Sequence, residues 1–199
     1  MEYINSKVSG ANAVVSKGDA GDSSIIISPQ HLKEVCRQLK DGEHEFQVLQ
    51  VITGTDFLAE NLIEVSYILA SFTKNSELIL KLRLPRGDEN NLPKVDSVVE
   101  IWKAADFQER ECYDMIGVEF LGHPDLQRIL CPYDWQGFPL RKDYVTPEKY
   151  LDMVINPISK MNIEDREFGA KHAHIKGAST SVDNYKVDPP ATVSETETV

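Results

Sequence analysis

The sequence predicts an α+β fold: a two-layer domain in which a small, mainly antiparallel sheet packs against two main helices, followed by a long irregular Pro-rich C-terminal arm. Three observations carry this reading. Leu78, Leu80, Leu82 and Leu84 alternate with Lys81 and Arg83, the period of a strand with one dry and one wet face. Leu32, Val35, Cys36 and Leu39 recur at helical spacing. Beyond Leu121 the chain carries Gly122, Pro124, Pro132, Gly137, Pro139 and Pro147, which no regular element tolerates, yet it is rich in Leu, Ile, Trp, Phe and Tyr.

In chain order, residues 1–23 are rich in Gly, Ser, Ala, Asn and Asp without periodicity and read as a mobile N-terminal arm. Ile25-Ile26-Ile27 is a short β-branched strand. Ser28-Pro29 resembles an N-cap with Pro at the first helical position, and Gly42 stops the helix, so the first helix spans about 29–40. Strands follow at 46–53, 62–72 and 76–84, the last two joined by the hairpin-length turn Thr73-Lys74-Asn75. Val95, Val98, Val99, Trp102, Ala105, Cys112, Tyr113 and Ile116 keep a three-to-four spacing, which predicts one long second helix ended by Gly117. The α+β domain therefore covers 24–120. Residues 121–160 form an extended arm whose apolar side chains need a partner surface. Residues 161–199 are a polar tail read as extended or disordered.

Composition excludes several classes. With 32 acidic and 21 basic residues the formal charge is −11, which disfavours nucleic acid and anionic membrane surfaces as partners. No apolar run reaches the roughly 18 residues of a membrane span, and the first residues lack the basic-then-apolar pattern of a secretory leader, which argues for the cytoplasm. The 3 cysteines, Cys36, Cys112 and Cys131, are widely spaced. They suit neither a disulfide framework nor an iron–sulfur cluster, and are expected to be inert, partly buried thiols.

The densest chemistry lies in Asp106-Phe107-Gln108-Glu109-Arg110-Glu111-Cys112-Tyr113-Asp114. On a helix, Arg110 stands four residues from both Asp106 and Asp114 and could bridge them. Glu109 continues the apolar stripe, so its carboxylate would be buried and in need of a partner. An acid–base pair is one use of such groups, and an ion network fixing the helix or a neighbour is the commoner one. Gly117 to His123 has the glycine spacing of a phosphate loop, but His123-Pro124 stands where Lys and Ser/Thr are needed, and Glu119 would repel phosphate. His172-Ala173-His174 offers two imidazoles and no third metal ligand. Arg141-Lys142 is a small basic spot suited to a partner's carboxylates.

Three stretches together resemble one family. They are Glu109-Arg110-Glu111-Cys112-Tyr113-Asp114-Met115-Ile116-Gly117, then Gly122-His123-Pro124-Asp125-Leu126-Gln127-Arg128-Ile129-Leu130, then Pro139-Leu140-Arg141-Lys142-Asp143-Tyr144. Their order is similar to the C subunit, or 30-kDa-type subunit, of NADH–quinone oxidoreductase, respiratory complex I, over about 24–150. Departures are local: the family often has an aromatic residue where Gln108 stands, a basic one where Gln127 stands, and Gly-His-Pro-Leu where this chain has Gly137-Phe138-Pro139-Leu140.

The resemblance implies a non-catalytic structural subunit of the peripheral arm, with no catalytic, cofactor-binding or metal residues of its own. FMN, iron–sulfur clusters and quinone would be bound by other subunits. It implies the D subunit as first partner, with B and I beside it, and a peripheral place on the cytoplasmic face of the bacterial inner membrane, or the matrix side in a mitochondrion. Glu109, Arg110, Glu111, Asp114, Gly117, Gly122, His123, Pro124, Asp125 and Arg128 would be structural. Leu130, Trp135, Pro139, Leu140, Arg141, Lys142, Asp143 and Tyr144 would face the partner. Beside it stand a free-standing adaptor with a disordered tail and two further alternatives. One is the equivalent subunit of a membrane-bound hydrogenase or a plastid or cyanobacterial quinone oxidoreductase. The other is an independent enzyme using Glu109 or Glu111 as acid or base, which requires a preformed pocket lined by these carboxylates.

Overall fold

The computed structural model describes residues 1–17, 23–147 and 149–155. The tail at 161–199, with His172 and His174, lies outside the described residues, as do 156–160 of the arm.

Met1–Val145 form one compact unit. Its elements are helix α1 (Glu2–Lys7), strands β1 (Val14–Lys17) and β2 (Ser23–Ile27), a 3-10 turn (Pro29–His31) running into α2 (Leu32–Asp41), β3 (Val48–Phe57), β4 (Leu62–Ser71), β5 (Ser76–Pro85), β6 (Lys94–Asp96), α3 (Ala105–Ile116) and β7 (Glu119–Leu121). The sheet runs β1-β2-β5-β4-β3. Its only parallel pair among the described residues is β2–β5. The fold is thus α+β with a mainly antiparallel sheet. β6 and β7 form a separate parallel pair. The second unit, Thr146–Val199, contains the antiparallel pair β8 (Lys149–Tyr150) and β9 (Met153–Val154).

The core follows the predicted alternation. Ile63, Val65, Tyr67 and Leu69 of β4 and Leu80, Leu82 and Leu84 of β5 are buried with Leu32, Val35, Cys36 and Leu39 of α2 and Ala105, Cys112 and Ile116 of α3. Each large side chain taken fully out of water contributes about 1.5–3 kcal/mol before chain entropy is set against it. Across the wet face, Lys81 and Arg83 both pair with Glu64.

Three expectations need correction. Residues 1–17 are not a free arm. Ile4 of α1 and Val8 just after it are buried in the core, and the Asn5 amide brackets the Ala13 backbone through bonds of 2.8 and 3.0 Å. So few apolar residues among Gly and Ser carry no readable period.

The second helix begins at Ala105, not near 95. Lys94–Asp96 is a strand, and turns follow in which both Ile101 and Trp102 N–H groups donate to the Val98 carbonyl. Val95, Val98, Val99 and Trp102 are all buried, so their spacing reports contact with the core and not helical winding.

The strand expected at 46–53 runs from Val48 to Phe57 and carries a bulge at Leu49/Val51. Beside this bulge, Gln108 of α3 accepts the Ile52 N–H at 2.6 Å and donates to the Gln50 carbonyl at 3.2 Å. Its amide thus stands in for a neighbouring strand along the open edge of β3. The helix comes this close because residue 54 is glycine: a Cβ there would lie 3.0 Å from Cys112 Sγ and 3.1 Å from Ile116 Cγ1.

Candidate functional site

The polar residues of α3 are arranged as anchors for the segment that follows. Asp106, Arg110 and Asp114 lie four apart and so form one stripe. The bridge expected from Arg110 to both aspartates does not form, because each of the three reaches a successive part of 121–131. His123, whose side chain is buried, points Nε2 at the Asp106 carbonyl (3.1 Å) and carboxylate (3.5 Å). The Asp125 N–H donates to His123 Nδ1, which fixes the Nε2–H tautomer. Arg110 Nε donates to the Gln127 carbonyl at 3.3 Å, and its Nη1 lies 3.9 Å from Asp125.

Asp114 is the strongest of the three. One oxygen accepts from Arg128 Nη1 at 2.9 Å, and the other accepts from the N–H groups of Ile129, Leu130 and Cys131 at 3.0, 2.7 and 2.9 Å. Burial alone would raise its pKa. The three N–H groups and the guanidinium outweigh burial and hold the carboxyl below its usual range. Arg128 goes on to the Gly137 carbonyl at 3.0 Å.

Glu109 points the other way, into the core, and is 0% exposed. It accepts from Ser97 Oγ at 2.6 Å and from the Val98 N–H at 2.7 Å, so it holds the turn that leads into α3. Burial is the largest influence on it, the two hydrogen bonds oppose burial only in part, and its pKa rises to about 7. Glu111 is exposed. The residues expected to act as one ion cluster therefore act separately.

The helix ends at Gly117 with φ of 79°, and a Cβ there would stand 2.6 Å from the Phe138 ring. Phe138 lies under two guanidinia, those of Arg141 (4.7 Å) and Arg128 (5.2 Å). Arg141 was expected to meet a partner's carboxylates. It is instead buried and donates to the carbonyls of Ile116, Gly87 and Gly117 at 2.7, 3.0 and 3.3 Å. Asp143 binds Arg86, and Trp135 Nε1 donates to the Tyr144 hydroxyl at 3.0 Å, so these three side chains also serve the domain itself. Leu130 and Leu140 are 62% and 57% exposed, and Pro139 and Lys142 are half-buried and exposed. Gly122, with φ of 80°, and Pro124 form an exposed turn.

Comparisons with known proteins show the family to which this geometry belongs. Residues 25–150 match the model of the family described as respiratory-chain NADH dehydrogenase, 30 Kd subunit. The chain belongs to this family. The C subunit of the NADH-quinone oxidoreductase of Roseiflexus sp. (strain RS-1) is 45% identical over 125 residues, covering 62% of this chain and 70% of that one. Its counterpart from Acidothermus cellulolyticus, of the same name, is 40% identical over 145 residues, covering 70% and 73%. The fold is also similar to a chain in the structure of the membrane-bound sulfane sulfur reductase, an archaeal respiratory membrane complex. There the TM-score is 0.60 at 22% identity, over 92% of this chain and 95% of that one.

In this member of the 30 Kd subunit family, sequence reasoning missed a second anchor. Asp56, at the end of β3, receives Arg86 Nε at 2.7 Å, Arg86 Nη2 at 3.1 Å and the Lys142 N–H at 2.8 Å. Arg86 also binds Asp143. Burial would raise Asp56, but these donors outweigh it and hold its carboxyl low. Asp56 shares the inward register of Ile52 and Gly54, and a charge at such a position is the one local signal that could have found the pair. Between loop 86–89 and segment 136–145 lies a cavity of about 410 Å³. Neither Glu109 nor Glu111 lines it.

Among the described residues no group of His, Cys, Asp and Glu is placed to hold a metal, and no helix is long and apolar enough to cross a membrane. Burial pushes the Cys112 thiol up to about 12 and raises Cys36 further.

Proposed function

We propose that this chain is a non-catalytic structural and assembly subunit in the peripheral arm of a proton-translocating NADH–quinone oxidoreductase. In this reading it buttresses the quinone-site D subunit, touches the B and I subunits, and sits on the cytoplasmic face of the inner membrane, or the matrix side in a mitochondrion. FMN, iron–sulfur clusters and quinone are held by its neighbours.

The observation that carries the reading is how 121–145 is bound. His123, the Cys131 and Lys142 N–H groups and Arg141 are turned toward the domain, onto Asp106, Asp114, Asp56 and the carbonyls at the end of α3. Its apolar side chains Leu130, Tyr133, Leu140 and Val145 are turned outward, with Tyr133 and Val145 94% and 84% exposed. A segment fixed by its backbone and presenting an apolar surface is a preorganised docking element. Loss of freedom on binding is small, so contact energy goes into affinity.

The test is to tag the chain in its native cell, solubilise the membranes in mild detergent, and run a native gel stained for NADH oxidation. A large membrane-derived band with NADH-dependent activity, holding the D and B subunits, supports the proposal. The same partners without NADH activity would mean another electron donor. A small species without partners would end it.

A further inference from the structure

The cavity between loop 86–89 and segment 136–145 belongs to no role assigned so far. Its wall includes Arg86, Gly87, Glu89, Phe138, Arg141 and Asp143. The two cations are at the base: Arg86 is 8% exposed and Arg141 9%. Arg86 uses Nε and Nη2 on Asp56 and Asp143, which leaves Nη1 without a hydrogen-bond partner among the described residues. This nitrogen is not among the buried unpaired atoms, so solvent reaches it and it is free to donate to an entering acceptor. Asp88 and Glu89 are exposed, and Asp143 is about half exposed. Counting Asp56 behind the wall, four carboxylates face two guanidinia.

An entering group therefore meets negative potential at the mouth and a hydrogen-bond donor at the base. A free carboxylate or phosphate would satisfy the base and be repelled at the mouth. A peptide carrying Lys or Arg satisfies both, its carbonyl accepting from Arg86 Nη1 and its cation lying among Glu89, Asp88 and Asp143. The space suits one loop turn and one long side chain.

We propose that this cavity receives a basic loop of a neighbouring subunit, with a Lys or Arg side chain held by Glu89 and Asp143. The inference rests on the proposal that the chain is a subunit of a multi-protein complex. The same cavity is bounded by Arg86 and Asp143 of the second anchor, so the loop would lock that anchor from outside.

The test uses the intact complex, with a benzophenone amino acid at position 136. Gln136 is exposed on the cavity wall and makes no contact used above, so the charges stay in place. After irradiation, the crosslinked peptides are identified by mass spectrometry. The expected result is a crosslink to one short stretch of another subunit that contains Lys or Arg, with its yield reduced several-fold by Glu89→Lys and kept by Glu89→Asp. Crosslinks confined to this chain, or to a stretch with no basic residue, or a yield unmoved by Glu89→Lys, would overturn the inference while leaving the complex standing. Failure to recover any complex from the wild-type cell would instead overturn the proposal on which it rests.

Discussion

Buried Asp114 pairs with the partly buried Arg128 at 2.9 Å, and the other carboxylate oxygen of Asp114 caps three consecutive N–H groups just beyond Arg128. One side chain of α3 thus fixes the direction in which the chain leaves the domain. Removing one partner of such a pair strands the rest. Asp114→Ala should cost about 3–5 kcal/mol, and Asp114→Asn, which keeps one acceptor, less. Urea denaturation of the purified chain measures both.

Arg110 and Arg141 should differ sharply, although both stand in motifs shared with the family. Arg110 makes one side-chain hydrogen bond and one long ion contact. Arg141 holds three carbonyls and stacks on Phe138 from a buried position. Arg110→Ala should cost about 0.5–1.5 kcal/mol, the net of one bond, and Arg141→Ala clearly more. Equal midpoints in a denaturant titration would contradict this ranking.

Stability should depend on pH through Glu109. Its folded pKa of about 7 lies above the unfolded value near 4.5, so the folded state favours the protonated form. That contribution is fully present below about pH 4.5 and is lost as pH rises through about 7, amounting to at most about 3 kcal/mol. Asp56 and Asp114 act with the opposite sign: their lowered pKa values add stability above the usual carboxyl range, lost as pH falls through it. Glu109→Gln should flatten the loss between pH 4.5 and 7 and be more stable than wild type above pH 7, because an amide can still accept from Val98 N–H and donate to Ser97 Oγ. A parallel decline in wild type and variant would refute the assignment.

Gly117→Ala should destabilise by two routes, a left-handed φ that costs roughly 1–2 kcal/mol for a residue with a Cβ, and displacement of Phe138. The displaced ring uncovers the cavity side of the segment, so limited proteolysis should cut near 121–145 before global unfolding. Protection equal to wild type would show that the ring finds another seat.

Where one face of an element alone is buried, the sequence pattern was enough. The Leu78–Leu84 alternation and the Leu32–Leu39 spacing became β5 and α2 because each meets a single core. Val95 to Trp102 misled because a short strand and a turn press against that same core, and burial at a three-to-four spacing is not itself winding. The start of the chain was illegible for a related reason: Ile4 and Val8 are buried in a core built from elements far along the sequence. Within the site, the charge-rich stretch from Asp106 to Asp114 was visible, but not where each group points. Asp56 and Arg86 are 30 residues apart, and Asp56 meets the Lys142 N–H across 86. The inward charge at Asp56 marks one end of the pair, but its partners are met only once the sheet has formed.

The role proposed for the segment after α3 is assembly and not chemistry. The most direct test is to compare the yield of assembled complex with quinone reduction per assembled complex in a Leu130→Ser, Leu140→Ser double variant. Both side chains are exposed, so the isolated chain should keep its stability to within about 0.5 kcal/mol. The expected result is a lower yield of complex with unchanged turnover in what does assemble. Unchanged yield with lost quinone reduction would contradict it.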